Sequence, residues 1–220
     1  MERSLLLYWS HQATGTPAAG EPEGDDMTTE WQLLNEAHDA LRKAVAGVGA
    51  DQWGLATPCE HWTVTQVLQH AAGDQLGFAA AITGGDGPDE NPFAPSGNLT
   101  ADPSEHAEAA IRAAAEAWGT VAPDAAEVAV PVPPNLLDAA TGVGACALDA
   151  AVHAWDIARA TGQDQPLTAW AAGELLPVAE RIVEPLRAYG AYAPALEPRP
   201  VDDEVAALLR YLGRDPEWAA

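Results

Sequence analysis

Lysine is almost missing from this 220-residue chain. Lys43 is the only one, so a Schiff-base or phosphate-cradling lysine has hardly anywhere to be. Basic residues are few altogether, ten Lys+Arg against 33 Asp+Glu, and the formal charge of -23 disfavours nucleic acid and anionic membrane surfaces as partners. Cysteine is nearly as scarce: Cys59 and Cys146 do not make a secreted disulfide framework, so reduced thiols and a cytoplasmic location are expected. Serine is confined to Ser4, Ser10, Ser96 and Ser104, with no Gly-x-Ser-x-Gly element, which argues against a Ser-His-Asp hydrolase. Long apolar runs are lacking too. The stretch Leu5-Leu6-Leu7-Tyr8-Trp9 is far too short to span a bilayer and no cleavage signal follows it, so no targeting or membrane segment is expected.

What remains is an alanine-rich chain whose 48% apolar content is enough for one globular domain with a sizeable core. Residues 1–26 mix Gly, Pro, Thr and acidic side chains without sustained periodicity and are expected to form a disordered N-terminal extension, with Met27 a candidate start for a domain over 27–220. A first helix is expected from near Thr29, with Gln32 as its capping-box partner and Trp31, Leu34, His38, Leu41 and Val45 inward. A second starts at a Thr63/Gln66 capping box, and a third at an N-cap on Ser104. Val128 to Pro134 reads as extended, because proline disfavours helix in the residue before it. A fourth helix runs from Asp138 or Val143 to a stop at Gly162, a fifth over Ala169–Tyr189 is kinked or broken by Pro177 and Pro185, and a short last one covers Asp203–Leu212. The economical architecture is all-α, an antiparallel four-helix bundle with one or two additional C-terminal helices.

The chemistry is concentrated in Asp149-Ala-Ala-Val-His153-Ala-Trp-Asp156, which places two carboxylates and an imidazole on one face of an otherwise apolar helix. His70, with Asp74 one turn later, stands in a comparable setting on the second helix. Facing bundle helices converge rigid donors, so His70, Asp149 and His153 form a candidate set for a divalent metal, zinc first, with nickel, iron or manganese as alternatives. Asp74 and Asp156 are either further ligands or acceptors that fix the imidazole tautomers. His38 is either a metal or substrate contact or a core histidine bonded to a neighbour, and His38 or His61 is a candidate to move a proton. Cys59 and Cys146 are read as thiolate ligands or, more simply, as small buried thiols. The loop over 83–103 is either a lid or slack between helices.

Three ordered segments, Asp51-Gln-Trp53 through His70, Val152-His153-Ala-Trp155-Asp156 through Gly162, and Leu208-Leu-Arg-Tyr-Leu-Gly-Arg214-Asp-Pro-Glu-Trp218, resemble the actinobacterial branch of the DinB-like proteins. That branch includes the N-terminal domain of mycothiol-dependent maleylpyruvate isomerase. The resemblance spans about residues 28 to 218. It implies a DinB-type four-helix bundle holding a divalent metal, with one ligand from the second helix and two from an acid-x-x-x-His turn, which fall here on His70, Asp149 and His153. The isomerase pattern has glutamate where this chain has Asp149, and it has a C-terminal domain that is not evident here.

The resemblance further implies an enzyme that activates a small thiol, mycothiol or one like it, as a metal-bound thiolate for transfer or isomerisation. Mycothiol is then a cosubstrate, and the partners are a small-molecule substrate and a low-molecular-weight thiol, with the protein a monomer or homodimer. Two other classes stay open: a metal- or ligand-binding regulatory protein without turnover, and a hydrolase or biosynthetic enzyme using metal-activated water.

Overall fold

A computed structural model describes residues 31–219. The expected extension over 1–26, its Met27 boundary and the Thr29 cap lie outside the described residues. Among the described residues six helices make up nearly all the regular structure: α1 (Gln32–Ala46), α2 (Val64–Thr83), α3 (Pro103–Trp118), α4 (Ala139–Thr161), α5 (Ala169–Ala188) and α6 (Glu204–Tyr211). One antiparallel two-residue hairpin, β1 (Val128–Ala129) with β2 (Leu136–Leu137), turns the extended segment expected there back onto the start of α4.

Local chemistry accounts for most of the helix ends. The Thr63/Gln66 capping box is present at α2, Asp138 caps α4 through the Thr141 amide, and the left-handed Gly162 (φ 71°) closes α4. Two expectations change. α3 is capped by Asp102 rather than Ser104, because Pro103 occupies the first helical turn and Asp102 Oδ1 accepts from the Ser104 and Glu105 amides. α5 is also not broken: it runs continuously through Pro177 and Pro185. Both prolines lie on its exposed face, where carbonyls that lose a partner are left to water.

α4 is the axis of the fold, buried around almost its whole circumference, with α1, α2 and α5 packed against it. A helix enclosed in this way has no solvent face, so every polar residue on it must find a partner inside.

Chain direction follows from which ends meet. Gln163, just past α4, bonds the Ala44 carbonyl near the end of α1, so these two neighbours run parallel. Trp31 Nε1 donates to the Trp118 carbonyl and Arg42 pairs with Glu108, so α1 and α3 run oppositely. Going along α2 from His70 to Gln75, the partners on α4 step back from His153 to Cys146, so these two are antiparallel. Hence α1 and α4 point one way, α2 and α3 the other. Because α2 and α3 run the same way, their connection must travel back the full bundle length, about 24 Å for a helix the size of α3. Residues 84–102 do this along the outside of α2: Gln66 Nε2 donates to the Pro95 carbonyl and Gln69 Nε2 to the Asn98 carbonyl, each at 3.1 Å. The loop is therefore a crossover required by the topology, and it passes directly over His70.

Candidate metal centre

His70 and Asp74 lie one helical turn apart on α2; Asp149, His153 and Asp156 lie on the facing side of α4. The structure brings His70, Asp149 and His153 together, with one donor atom of each within 4.8 Å of the others. Asp149 Oδ1 is 3.4 Å from His153 Nε2 and 3.7 Å from His70 Nε2. A cation about 2.1 Å from each ligand in a tetrahedral shell needs ligand separations of about 3.4 Å, so both nitrogens already stand from the carboxylate oxygen at close to the spacing an ion requires.

The outer ring of contacts decides which atoms face inward. The Nδ1–H of His153 donates to Asp156 Oδ2 at 2.9 Å, and the Nδ1–H of His70 donates to the Pro92 carbonyl at 2.9 Å. A carbonyl can only accept, so His70 carries its proton on Nδ1, and the charged Asp156 imposes the same tautomer on His153. Both Nε2 lone pairs are left free on the side of Asp149. Gln75 Nε2 donates to Asp149 Oδ2 at 3.4 Å, leaving Oδ1 toward the two rings. Asp156 is gripped in turn by Arg214, with Nη2 to Oδ2 at 2.8 Å and Nε to Oδ1 at 3.0 Å.

Charge points the same way. Burial lowers the pKa of His153 to about 4, so that ring is neutral. Burial also works against ionised Asp156, but the Arg214 guanidinium and the His153 hydrogen bond outweigh it and hold the carboxyl below its ordinary value. Asp149 is pushed well up, first by burial and then by the charge of Asp74, and Asp74 is likewise raised by burial. Two neighbouring carboxylates, Asp149 buried and Asp74 half-buried, cannot both ionise cheaply beside the neutral His153 ring, and a proton or a cation must offset their charge. The donor set fits a divalent cation: two imidazole nitrogens with fixed tautomers and one carboxylate oxygen, with Asp74 alongside, its Oδ2 3.7 Å from His70 Nε2.

Asp74, with a side chain 18% exposed, is more accessible than His70, Asp149 or His153 and marks the mouth of the site. Two aromatic rings flank His70 there, Trp62 at 4.7 Å and Phe93 at 5.6 Å between centroids. Phe93 and Pro92 come from the crossover loop. Gly73 admits that loop, since a Cβ at this position would sit 2.7 Å from Pro92 Cβ.

Of the other candidates, His38 is buried and its Nε2–H donates to Gln75 Oε1 at 2.8 Å, one step behind Asp149 and not among the converging donors. His61 sits exposed in the turn before α2 with a left-handed backbone (φ 73°), apart from the cluster. Cys146 is buried and its thiol donates to Gln75 Oε1 at 3.1 Å. Cys59 comes within 4.8 Å of His153 and Asp156 donor atoms, but burial, helped by the Asp156 charge, pushes its thiol up to about 12, and Asp156 is already engaged by Arg214. Both cysteines therefore stand as thiols.

Sequence reasoning missed Gln75, the Pro92 carbonyl and the role of Arg214. Arg214 had a usable signal: it is one of only ten basic residues and directly follows a helix-stopping glycine. Gln75 and Pro92 act through contacts that no local pattern encodes.

The candidate ligands on α2 and α4 fall inside a stretch shared with known proteins. Residues 34–158 match the family model described as the mycothiol maleylpyruvate isomerase N-terminal domain. Two uncharacterized proteins of Mycobacterium tuberculosis, one from strain CDC 1551 / Oshkosh and one from strain H37Rv, are each 32% identical over 180 residues, 79% of this chain and 92% of theirs. No solved structure matches at a significant level. No helix among the described residues is long and apolar enough to cross a membrane. With the family model covering more than half of the chain, including both helices that carry the donor set, the protein belongs to the mycothiol maleylpyruvate isomerase N-terminal domain family.

Proposed function

We propose that the protein is a divalent-metal-dependent enzyme that activates a small thiol, mycothiol or one like it, for transfer to or isomerisation of an organic substrate. The observation that carries this reading is the convergence of two tautomer-fixed Nε2 atoms and Asp149 Oδ1 in a buried pocket beside Asp74. His70, Asp149 and His153 would hold the cation, zinc first with nickel, iron and manganese as alternatives. When bound, such a cation supplies a Lewis acid that lowers the pKa of a thiol into the neutral range. Asp74 Oδ2, at the mouth and close to His70, would take the thiol proton. Trp62 and Phe93 offer an apolar wall against which an organic substrate excludes water. Membership of the family supports the thiol, since its model is described by a mycothiol-dependent reaction.

The test is to strip the untagged protein with chelator, reload it with each divalent metal, count bound ions, and measure conjugation of a mycothiol-type thiol with generic electrophiles. Acceleration that appears on reloading and vanishes in His153→Ala is the expected result. Absence of bound ions, or unchanged binding in His153→Ala, overturns the metal assignment. Stabilisation by the thiol without faster conjugation overturns the catalytic part and leaves a binding protein.

A further inference from the structure

We propose that Arg214 is a positioning residue of the metal centre: it acts through Asp156 to fix the ring of His153, so that the C-terminal segment beyond residue 158 is a working part of the site. The inference rests on the metal reading above. The family match ends at residue 158, eleven residues before the start of α5 and well before α6, whereas the contact that immobilises Asp156 comes from the tail.

Arg214 reaches Asp156 with two nitrogens, one to each carboxylate oxygen, and both residues are buried, Asp156 completely. A planar guanidinium gripping both oxygens prevents the carboxylate from turning, which a single point contact does not. The Oδ2 atom thereby stays aimed at His153 Nδ1. Stability gives a poor account of this pair, because a buried ion pair is often no better than apolar side chains filling the same volume. What apolar side chains could not do is hold a charged acceptor against the back of a ligand imidazole.

The delivery of Arg214 is built into the end of α6. Gly213 follows the helix in a left-handed conformation (φ 80°), and a Cβ there would lie 2.8 Å from the Ala193 and Pro194 carbonyl oxygens. The Arg214 amide then closes on the Leu209 carbonyl at 2.8 Å, turning the side chain inward. Beyond it, Arg159, three residues after Asp156 on α4, donates through Nε to the Trp218 carbonyl. The tail is thus fastened to α4 at two points, Asp156 and Arg159.

The experiment compares Arg214→Gln and Arg214→Lys with the parent in the full-length chain. Zinc affinity is measured by competition with a chromophoric chelator, and the His153 tautomer by imidazole nitrogen NMR on metal-free protein, with helical circular dichroism as the folding control. Zinc binding weakened about 10- to 100-fold in Arg214→Gln, partly recovered in Arg214→Lys, with His153 no longer held as the Nδ1–H form, is the expected result. Zinc affinity within twofold of the parent and an unchanged tautomer in the folded variants overturn the proposal. Should Arg214→Gln fail to fold, Arg214→Lys, which keeps Asp156 paired with a cation, decides by the same two readouts. If the parent itself binds no zinc, the metal reading fails, while the tautomer of metal-free Arg214→Lys still decides whether Arg214 positions His153.

Discussion

The imidazoles of His70 and His153 stand edge to face, ring centroids 4.7 Å apart and planes at 90°, with Asp149 Oδ1 within 3.7 Å of both Nε2 atoms. Neither ring packs flat on the other, so each presents its nitrogen edge to the same small volume. Loss of either imidazole removes one of the three donors. His70→Ala and His153→Ala should each bind zinc at least 100-fold more weakly than the parent, measured by chelator competition, while both remain helical by circular dichroism.

Asp149 places a carboxylate between those rings on the shortest acidic side chain. Asp149→Glu adds a methylene but keeps the donor, so zinc affinity should stay within about tenfold of the parent. Asp149→Asn removes the charge and should cost more than that. A reversal of this order, read by the same competition, would show that charge at this position is not what holds the ion.

Gly73 controls His70 indirectly. A methyl group there collides with Pro92, whose carbonyl accepts the His70 Nδ1–H. Gly73→Ala should push the loop outward, lower unfolding free energy by about 1 to 3 kcal/mol as overpacking does, and weaken zinc binding several-fold. Denaturant melts and metal titration on one preparation check both effects.

Acid should destabilise the metal-free protein at a pH set by its buried histidines. Burial lowers the pKa of His38 to about 4, despite its bond to Gln75, and His153 shifts in the same direction to about 4. The unfolded chain takes up protons near pH 6.5 and the folded one only near 4, so the stability from keeping a ring neutral is present above 6.5 and is lost as pH falls from 6.5 toward 4. For His38 alone the loss between pH 7 and pH 5 is about 2 kcal/mol. Urea unfolding at the two pH values should show it, and His38→Gln should show a smaller loss.

Local signals were legible in the sequence, and contacts between distant segments were not. Thr63 with Gln66, Asp138 and Gly162 mark helix ends because caps act over three or four residues. The i, i+4 step from Asp149 to His153 puts two donors on one helical face whatever surrounds the helix. The cap of α3 fell on Asp102 because a proline in the first turn moves the boundary, and Pro177 and Pro185 sit harmlessly in α5 because that face meets water. The bond from Pro92 to His70 spans 22 residues and that from Arg214 to Asp156 spans 58, distances over which no periodicity carries information. The parallel run of α2 and α3, which dictates where the long loop goes, is likewise a property of packing.

That parallel run separates two jobs that many proteins assign to the same stretch of chain. The nitrogen and oxygen donors belong to rigid helices, while the wall beside His70, with Pro92 and Phe93, belongs to the returning loop. Exchanging the tip of that loop would alter what can approach the site without touching the residues proposed to hold the ion, provided a carbonyl still meets His70 and the segment is long enough to climb back along α2. On this frame the residues of the loop wall can therefore drift or be engineered independently of the donor set on the helices.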